Sequence, residues 1–177
     1  MPIIEILLIT VVFIVGASII FSTVKVGIPP MPSSKKAHQA ILALVDETGT
    51  GSIYDLGSGW GSLVIRLARK YPDRQVVAYE ISFFPWLITI MFKRVFNLNN
   101  LTLHREDFLK ADLSSASVVI CYLFPAAMAE IKNKLINGNS KLGFIISNNF
   151  ALPSYQASKV IQLTDFYKSP VYLYRII

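Results

Sequence analysis

Cysteine is all but missing from this sequence. Cys121 is the only one, so neither a disulfide framework nor a cysteine-built metal cluster is available. His38 and His104 are the only histidines; they lie far apart, form no ligand pattern, and no metal is assigned. Charge is sparse, with Asp, Glu, Lys and Arg at 16% of the chain. The net charge is +6, yet from Asp46 onward 14 Lys and Arg face 10 Asp and Glu. No basic run is interleaved with aromatics, so no nucleic-acid partner is expected. The triplet Gly-Lys-Ser/Thr is absent, which excludes a phosphate-cradling P-loop. No Lys or Arg precedes Lys25.

What is plentiful is apolar surface, at 53% of the 177 residues. That length holds one domain with a sizeable core. Much of the excess lies between Ile3 and Val24, where Glu5 is the only charge. About 20 apolar residues span a bilayer as a helix. A cleaved signal peptide would begin with positive charge, and here the early charge is acidic. The expectation is a transmembrane anchor over residues 1–25, a Pro-rich linker over 26–34 and a catalytic domain over 35–177. Lys25, Lys35 and Lys36 follow the span, so the positive-inside rule places that domain on the cytoplasmic side of a single-pass membrane protein. The remaining positive charge faces anionic lipid headgroups.

The chain is organised around Ile53-Tyr-Asp-Leu-Gly-Ser-Gly-Trp-Gly61. A short apolar strand carrying Asp55 gives way to Gly57, Ser58, Gly59 and Gly61. Leu63, Val64, Leu67 and Ala68 then recur at helical spacing. Strand, glycine turn and helix make a nucleotide-type ligand site. Glycine permits positive φ and close ligand approach, and the helix start presents free N–H groups. A dinucleotide fingerprint needs Gly-x-Gly-x-x-Gly, but Ser62 or Val64 stands where the third glycine belongs. Some twenty residues on, Gln75-Val-Val-Ala-Tyr-Glu80 reads as a second strand ending in a carboxylate, placed to accept hydrogen bonds from ribose hydroxyls.

Around this centre the pattern alternates. Ser33 or Ser34 caps a helix whose apolar face is Ala37, Ile41, Leu44 and Val45. Phe83 to Phe96 predicts a helix entered at Pro85. It is strongly apolar for an outer helix, which suits either deep burial or a face meeting a membrane or membrane protein. Leu101 to His104 is a third strand, followed by Arg105-Glu-Asp-Phe108. Ser117 to Phe124 suits a strand covered on both sides. Ala126 to Ile136 is a helix, Lys141 to Ser147 a fifth strand, and Lys159 to Leu163 with Val171 to Ile177 a closing hairpin. The fold class is α/β: a doubly wound, Rossmann-like sheet of seven strands, with helices between the first five and one transmembrane helix in front.

The Asp-x-Gly-x-Gly-x-Gly loop resembles the first motif of the class I S-adenosylmethionine-dependent methyltransferases. With Glu80, Glu106-Asp107-Phe108 and Val171-Tyr-Leu-Tyr-Arg175, the chain looks like a small family of archaeal and mitochondrial membrane-anchored protein-lysine methyltransferases. The resemblance implies S-adenosyl-L-methionine as methyl donor. Asp55, Gly57, Ser58, Gly59, Gly61 and Glu80 would hold it, with Asp107 (or Glu106) on the adenine amino group and Phe108 stacked on the base. Relatives acting on amides or DNA bases carry Asn/Asp-Pro-Pro-aromatic after the fourth strand. Tyr122-Leu-Phe-Pro125 stands there instead, which counts against such substrates.

The implied acceptor is a lysine ε-amine of a protein, with an integral membrane protein as one candidate. A free lysine pKa of about 10.4 must fall before the nitrogen can attack, and an apolar pocket favours the neutral amine. Tyr122, Phe124 and Asn148 would build that pocket, with Tyr122 or Asn148 positioning the amine. Two other readings compete: a lipid or small-molecule N-methyltransferase, and a membrane-anchored scaffold that binds the donor without catalysis.

Overall fold

Ser34 opens the first helix. Its Oγ accepts a hydrogen bond from the Ala37 N–H at 3.1 Å, an N-cap that satisfies one orphan donor. α1 (Lys35–Val45) then buries Ala37, Ile41, Leu44 and Val45, the face expected of it. The computed structural model describes residues 3–10, 12, 13, 16, 33–138 and 141–176.

After α1 come β1 (Ile53–Leu56), α2 (Ser62–Lys70), β2 (Val76–Tyr79), α3 (Phe83–Val95), β3 (Leu101–His104), β4 (Val118–Cys121), α4 (Pro125–Gly138), β5 (Phe144–Asn148), β6 (Lys159–Gln162) and β7 (Pro170–Arg175). The strands form one sheet in the order β3-β2-β1-β4-β5-β7-β6. β1 to β5 are parallel. β7 runs antiparallel between β5 and β6, with Asn148 opposite Val171 and Gln162 opposite Pro170.

β1 and β4 are fully buried, which is why their apolar residues run on without alternation. Ile53 sits in register with Val76 on one side and Val118 on the other. α2 buries Leu63, Val64, Leu67 and Ala68 as its spacing predicts, each larger side chain contributing about 1.5–3 kcal/mol when fully buried. Beyond α2, the Asn100 side-chain amide donates to the carbonyls of Ala68, Tyr71 and Arg74, closing the helix end that Pro72 terminates.

Three features differ from expectation. No helix joins β3 to β4; residues 105–117 run as a loop held by turns such as Ala111 N–H to Asp107 O at 3.2 Å. α3 starts at Phe83, two residues before Pro85, and only Pro85 and Thr89 are buried along it. Phe83, Met91, Phe92, Val95 and Phe96 remain exposed, so its apolar character does not come from burial in this fold.

The third is a correction. The sequence pointed to a single-pass membrane protein anchored through residues 1–25, but among the described residues no helix is long and apolar enough to cross a membrane. Residues 3–10, 12, 13 and 16 are helical. Much of the expected anchor, and the linker from 26 to 32, lies outside the described residues.

Candidate active site

The strand order reverses at β1, between β2 and β4, and a doubly wound sheet opens its crevice at such a point, beyond the carboxyl ends of the strands. A cleft of about 530 Å³ lies there. The loops after β1, β2, β3, β4 and β5 contribute to its lining, and the start of α1 closes one side through Ser33, His38 and Ile41.

The loop after β1 is shaped by its glycines. Gly57 has φ of +89° and Gly59 of +54°, both in the left-handed region that side chains resist. A Cβ built at either would meet nothing within 4 Å, so the backbone there faces open cleft. Ser58 between them is 9% exposed, and its Oγ has no hydrogen-bond partner among the described residues. A buried hydroxyl left so is costly unless a ligand completes it. Gly61 belongs to a different device. It does not line the cleft; it precedes α2 with φ of +76°, and a Cβ on it would stand 2.4 Å from Thr89 Cγ2. It lets α2 and α3 approach each other.

Glu80 follows β2 and is 7% exposed. Its Oε2 accepts from the Gly59 N–H at 2.8 Å and its Oε1 from the Ser82 N–H at 2.7 Å. The carboxylate therefore ties the β1 and β2 loops together and is fixed in orientation, with lone pairs left for further donors. Asp55, near the end of β1, is buried. Desolvation first, and the nearby Glu80 charge second, push its carboxyl up to about 7. Asp107 accepts from the Leu109 N–H at 3.0 Å, which curls the β3–β4 loop and sets Phe108 against the cleft.

The opposite end is aromatic. Tyr122 stacks on Phe150 with ring centroids 6.0 Å apart, and Phe124 lines the same wall. Asn148, 5% exposed, donates through Nδ2 to Ser33 Oγ at 3.3 Å. Asn149 then turns the chain through the left-handed region at φ of +70°, which asparagine tolerates, and brings Phe150 back to the cleft. All the expected site residues except Gly61 line this one space.

Phe150 and His38 were not anticipated. Phe150 had a signal: it falls just past the carboxyl end of a parallel strand. His38 had none, because only tertiary packing swings α1 over the sheet. It is 4% exposed, and burial first, then Arg66, lower its pKa.

The family model of the ANTKMT methyltransferase domain matches residues 55–159, more than half of the chain. The chain belongs to this family. The ANTKMT-type domain here is 25% identical over 153 residues to a protein-lysine N-methyltransferase of Saccharolobus islandicus, covering 84% of this chain and 94% of that protein. It is 26% identical over 139 residues to a human lysine N-methyltransferase named for an ATP synthase component, covering 77% of this chain but 58% of the human protein. Among solved structures, an RNA methyltransferase from Salinibacter ruber, in complex with S-adenosyl-L-homocysteine, superposes with a TM-score of 0.73 at 27% identity, over 82% of this chain and 94% of that one. The protein is an S-adenosylmethionine-dependent methyltransferase. The open glycine cradle, the orphaned Ser58 hydroxyl and the fixed Glu80 carboxylate fit that donor.

Proposed function

We propose that this methyltransferase acts on the ε-amine of a protein lysine. The observation that carries the reading is the charge of the cleft. Five acidic side chains line it, Asp55, Glu80, Glu106, Asp107 and Glu130, and no Lys or Arg does among the described residues. In a chain of net charge +6, this acidic concavity selects cations. It suits a cationic donor and a cationic side chain arriving beside it, and it repels the phosphates of RNA or of a phospholipid. The archaeal relative, similar over nearly its whole length, is named a protein-lysine N-methyltransferase.

In this reading, Glu80 accepts hydrogen bonds from the ribose hydroxyls, and its bonds to Gly59 and Ser82 hold it in place beforehand. Ser58 and the backbone of Gly57 and Gly59 hold the remainder of the donor's polar edge. Asp107 receives the adenine amino group, and Phe108 packs on the base. When bound, S-adenosylmethionine supplies a methyl carbon made electrophilic by its sulfonium sulfur.

Tyr122, Phe124 and Phe150 form the acceptor end. They exclude water from the incoming ammonium, and desolvation favours its neutral form. Asn148, pinned to Ser33, presents its side-chain oxygen toward the amine and aims the nitrogen lone pair. Little further acid–base help is needed, because the proton lost by the amine returns to solvent at the cleft mouth. The exposed apolar side of α3 supports a finer form of the proposal, in which the acceptor is a membrane protein.

The test is the partition of label. Purified protein is incubated with radiolabelled S-adenosylmethionine and a crude extract lacking the gene product, then separated into protein, lipid and RNA fractions. Label in protein, lost with Glu80→Ala, supports the proposal. Label confined to lipid or RNA sinks it.

A further inference from the structure

A second feature stands on the same rim as the acceptor end and takes no part in donor binding. The β6–β7 hairpin turns at residues 163–169, and its tip carries Phe166 and Tyr167, which are 94% and 84% exposed. Their rings meet edge to face at 5.3 Å, so each covers only part of the other. Two large apolar side chains held in water need an explanation where a single one does not.

The turn beneath them is firmly built. Asp165 Oδ1 accepts from the Ser169 N–H at 2.8 Å, and the Lys168 N–H donates to Asp165 O at 3.1 Å. The Gln162 side chain bonds the Lys168 carbonyl, and Leu163 N–H reaches Ser169 O at 2.9 Å. The aromatic pair is thus presented on an ordered platform. Side chains that need little further ordering lose less entropy on binding.

The position of the platform is set by the sheet. β7 starts opposite the end of β5, where Val171 pairs with Asn148 and Asn149 N–H bonds Pro170 O at 2.8 Å. On the other side, Lys36 Nζ donates to Thr164 O at 2.5 Å, fastening the turn to the first turn of α1, next to Ser33. The hairpin tip therefore continues the wall formed by Asn148 and Ser33 at the mouth of the cleft. Any protein that inserts a side chain there must lay its own surface across this rim.

We propose that Phe166 and Tyr167 form a docking point for the acceptor protein, engaging an apolar surface segment that flanks the target lysine. The inference rests on the protein-lysine reading above. Aromatic side chains dominate the binding energy of protein interfaces, and here they lie outside the reacting centre. They set which protein is modified and leave the transfer step alone.

The experiment compares the wild-type protein with Phe166→Ser/Tyr167→Ser and with the conservative pair Phe166→Tyr/Tyr167→Phe. The probes are tritiated S-adenosylmethionine and a whole-protein extract from cells lacking the gene, added over a range of concentrations, with methyl-lysine read after hydrolysis. The expected result is a rise of at least about fivefold in the extract concentration giving half-maximal rate for the serine pair. Its maximal rate and its affinity for S-adenosylmethionine stay unchanged, and the conservative pair behaves as wild type. If the wild type forms methyl-lysine and the serine pair shows the same concentration dependence, docking at the tip is overturned while the lysine reading stands. No methyl-lysine with the wild type overturns both. A wild-type dimer that the serine pair dissociates, seen by light scattering, assigns the tip to self-association and overturns the proposal.

Discussion

Glu80 Oε2 and the Gly59 N–H lie 2.8 Å apart, joining the loop after β2 to the glycine loop after β1. One side chain thereby shapes the cradle and offers its remaining lone pairs to a ligand. Glu80→Ala removes both contributions. Hydrogen bonds to a charged group are worth about 1.5–3 kcal/mol each, so losing two to the donor weakens binding by roughly a hundredfold or more. Glu80→Gln keeps one acceptor oxygen and should fall between. Isothermal titration with S-adenosylmethionine reads the difference, and an alanine variant binding as wild type would remove Glu80 from the donor site.

Gly57 and Gly61 should separate cleanly on substitution. Ala at 61 places a Cβ against Thr89 in a left-handed conformation, combining overpacking with backbone strain at about 3 kcal/mol. The melting temperature should fall by roughly 10 °C, with donor affinity little changed in the folded fraction. Ala at 57 meets open space and costs only the left-handed strain of about 1–2 kcal/mol, yet its methyl group intrudes on the cleft. There the larger loss is in donor affinity. Paired melting and titration of the two variants test the division.

Asp55 gives the site a pH dependence with a definite sign. Burial, then Glu80, push its carboxyl up to about 7 from an ordinary 3.8. A folded-state pKa above the unfolded one means the folded state holds the proton longer. The associated stability is complete below about pH 4 and is lost as pH rises through about 7. Buried His38 acts oppositely. Its lowered pKa costs stability as pH falls through about 6.5. Asp55→Asn isolates the first effect: the contribution of Asp55 should lower the wild-type melting temperature between about pH 5 and 8, and the variant should lack that decline. A cationic donor favours ionised Asp55, so binding near pH 7 should release a proton. Calorimetry in buffers of different ionisation enthalpy measures that release.

Asn148 and Tyr122 are expected to act on transfer. Removing a positioning hydrogen bond of about 1–1.5 kcal/mol lowers kcat about tenfold for Asn148→Ala, with donor affinity unchanged. Tyr122→Phe, which keeps the stack on Phe150, should lower it less. If neither substitution alters turnover, the acceptor end lies elsewhere.

The sheet and the donor loop were legible because their signals are local. Asp55, Gly57 and Gly59 lie within five residues, and Glu80 ends the next strand, so topology alone brings them together. Gly61 looked identical to its neighbours. What distinguishes it is contact with Thr89, 28 positions away, which no local pattern reveals. The same limit explains His38 and the exposed face of α3, both decided by packing between elements. The general pattern of helices between the first five strands called for one between β3 and β4; Asp107 capping its own loop and the turns around Asp112 to Ala116 satisfy that backbone without one. The apolar run from Ile3 to Val24 illustrates the converse, since composition alone implied a span that the described helix does not provide.

Transfer of a methyl group to lysine by an acidic, aromatic-ended cleft is the central claim. The most direct measurement is the chemical identity of the labelled residue. Protein labelled by this enzyme from radioactive S-adenosylmethionine is hydrolysed to amino acids and separated against methylated standards. The expected result is label running with Nε-methylated lysines. Label running with methylated arginine, histidine or glutamine, or recovered only as methylated nucleosides, would contradict it.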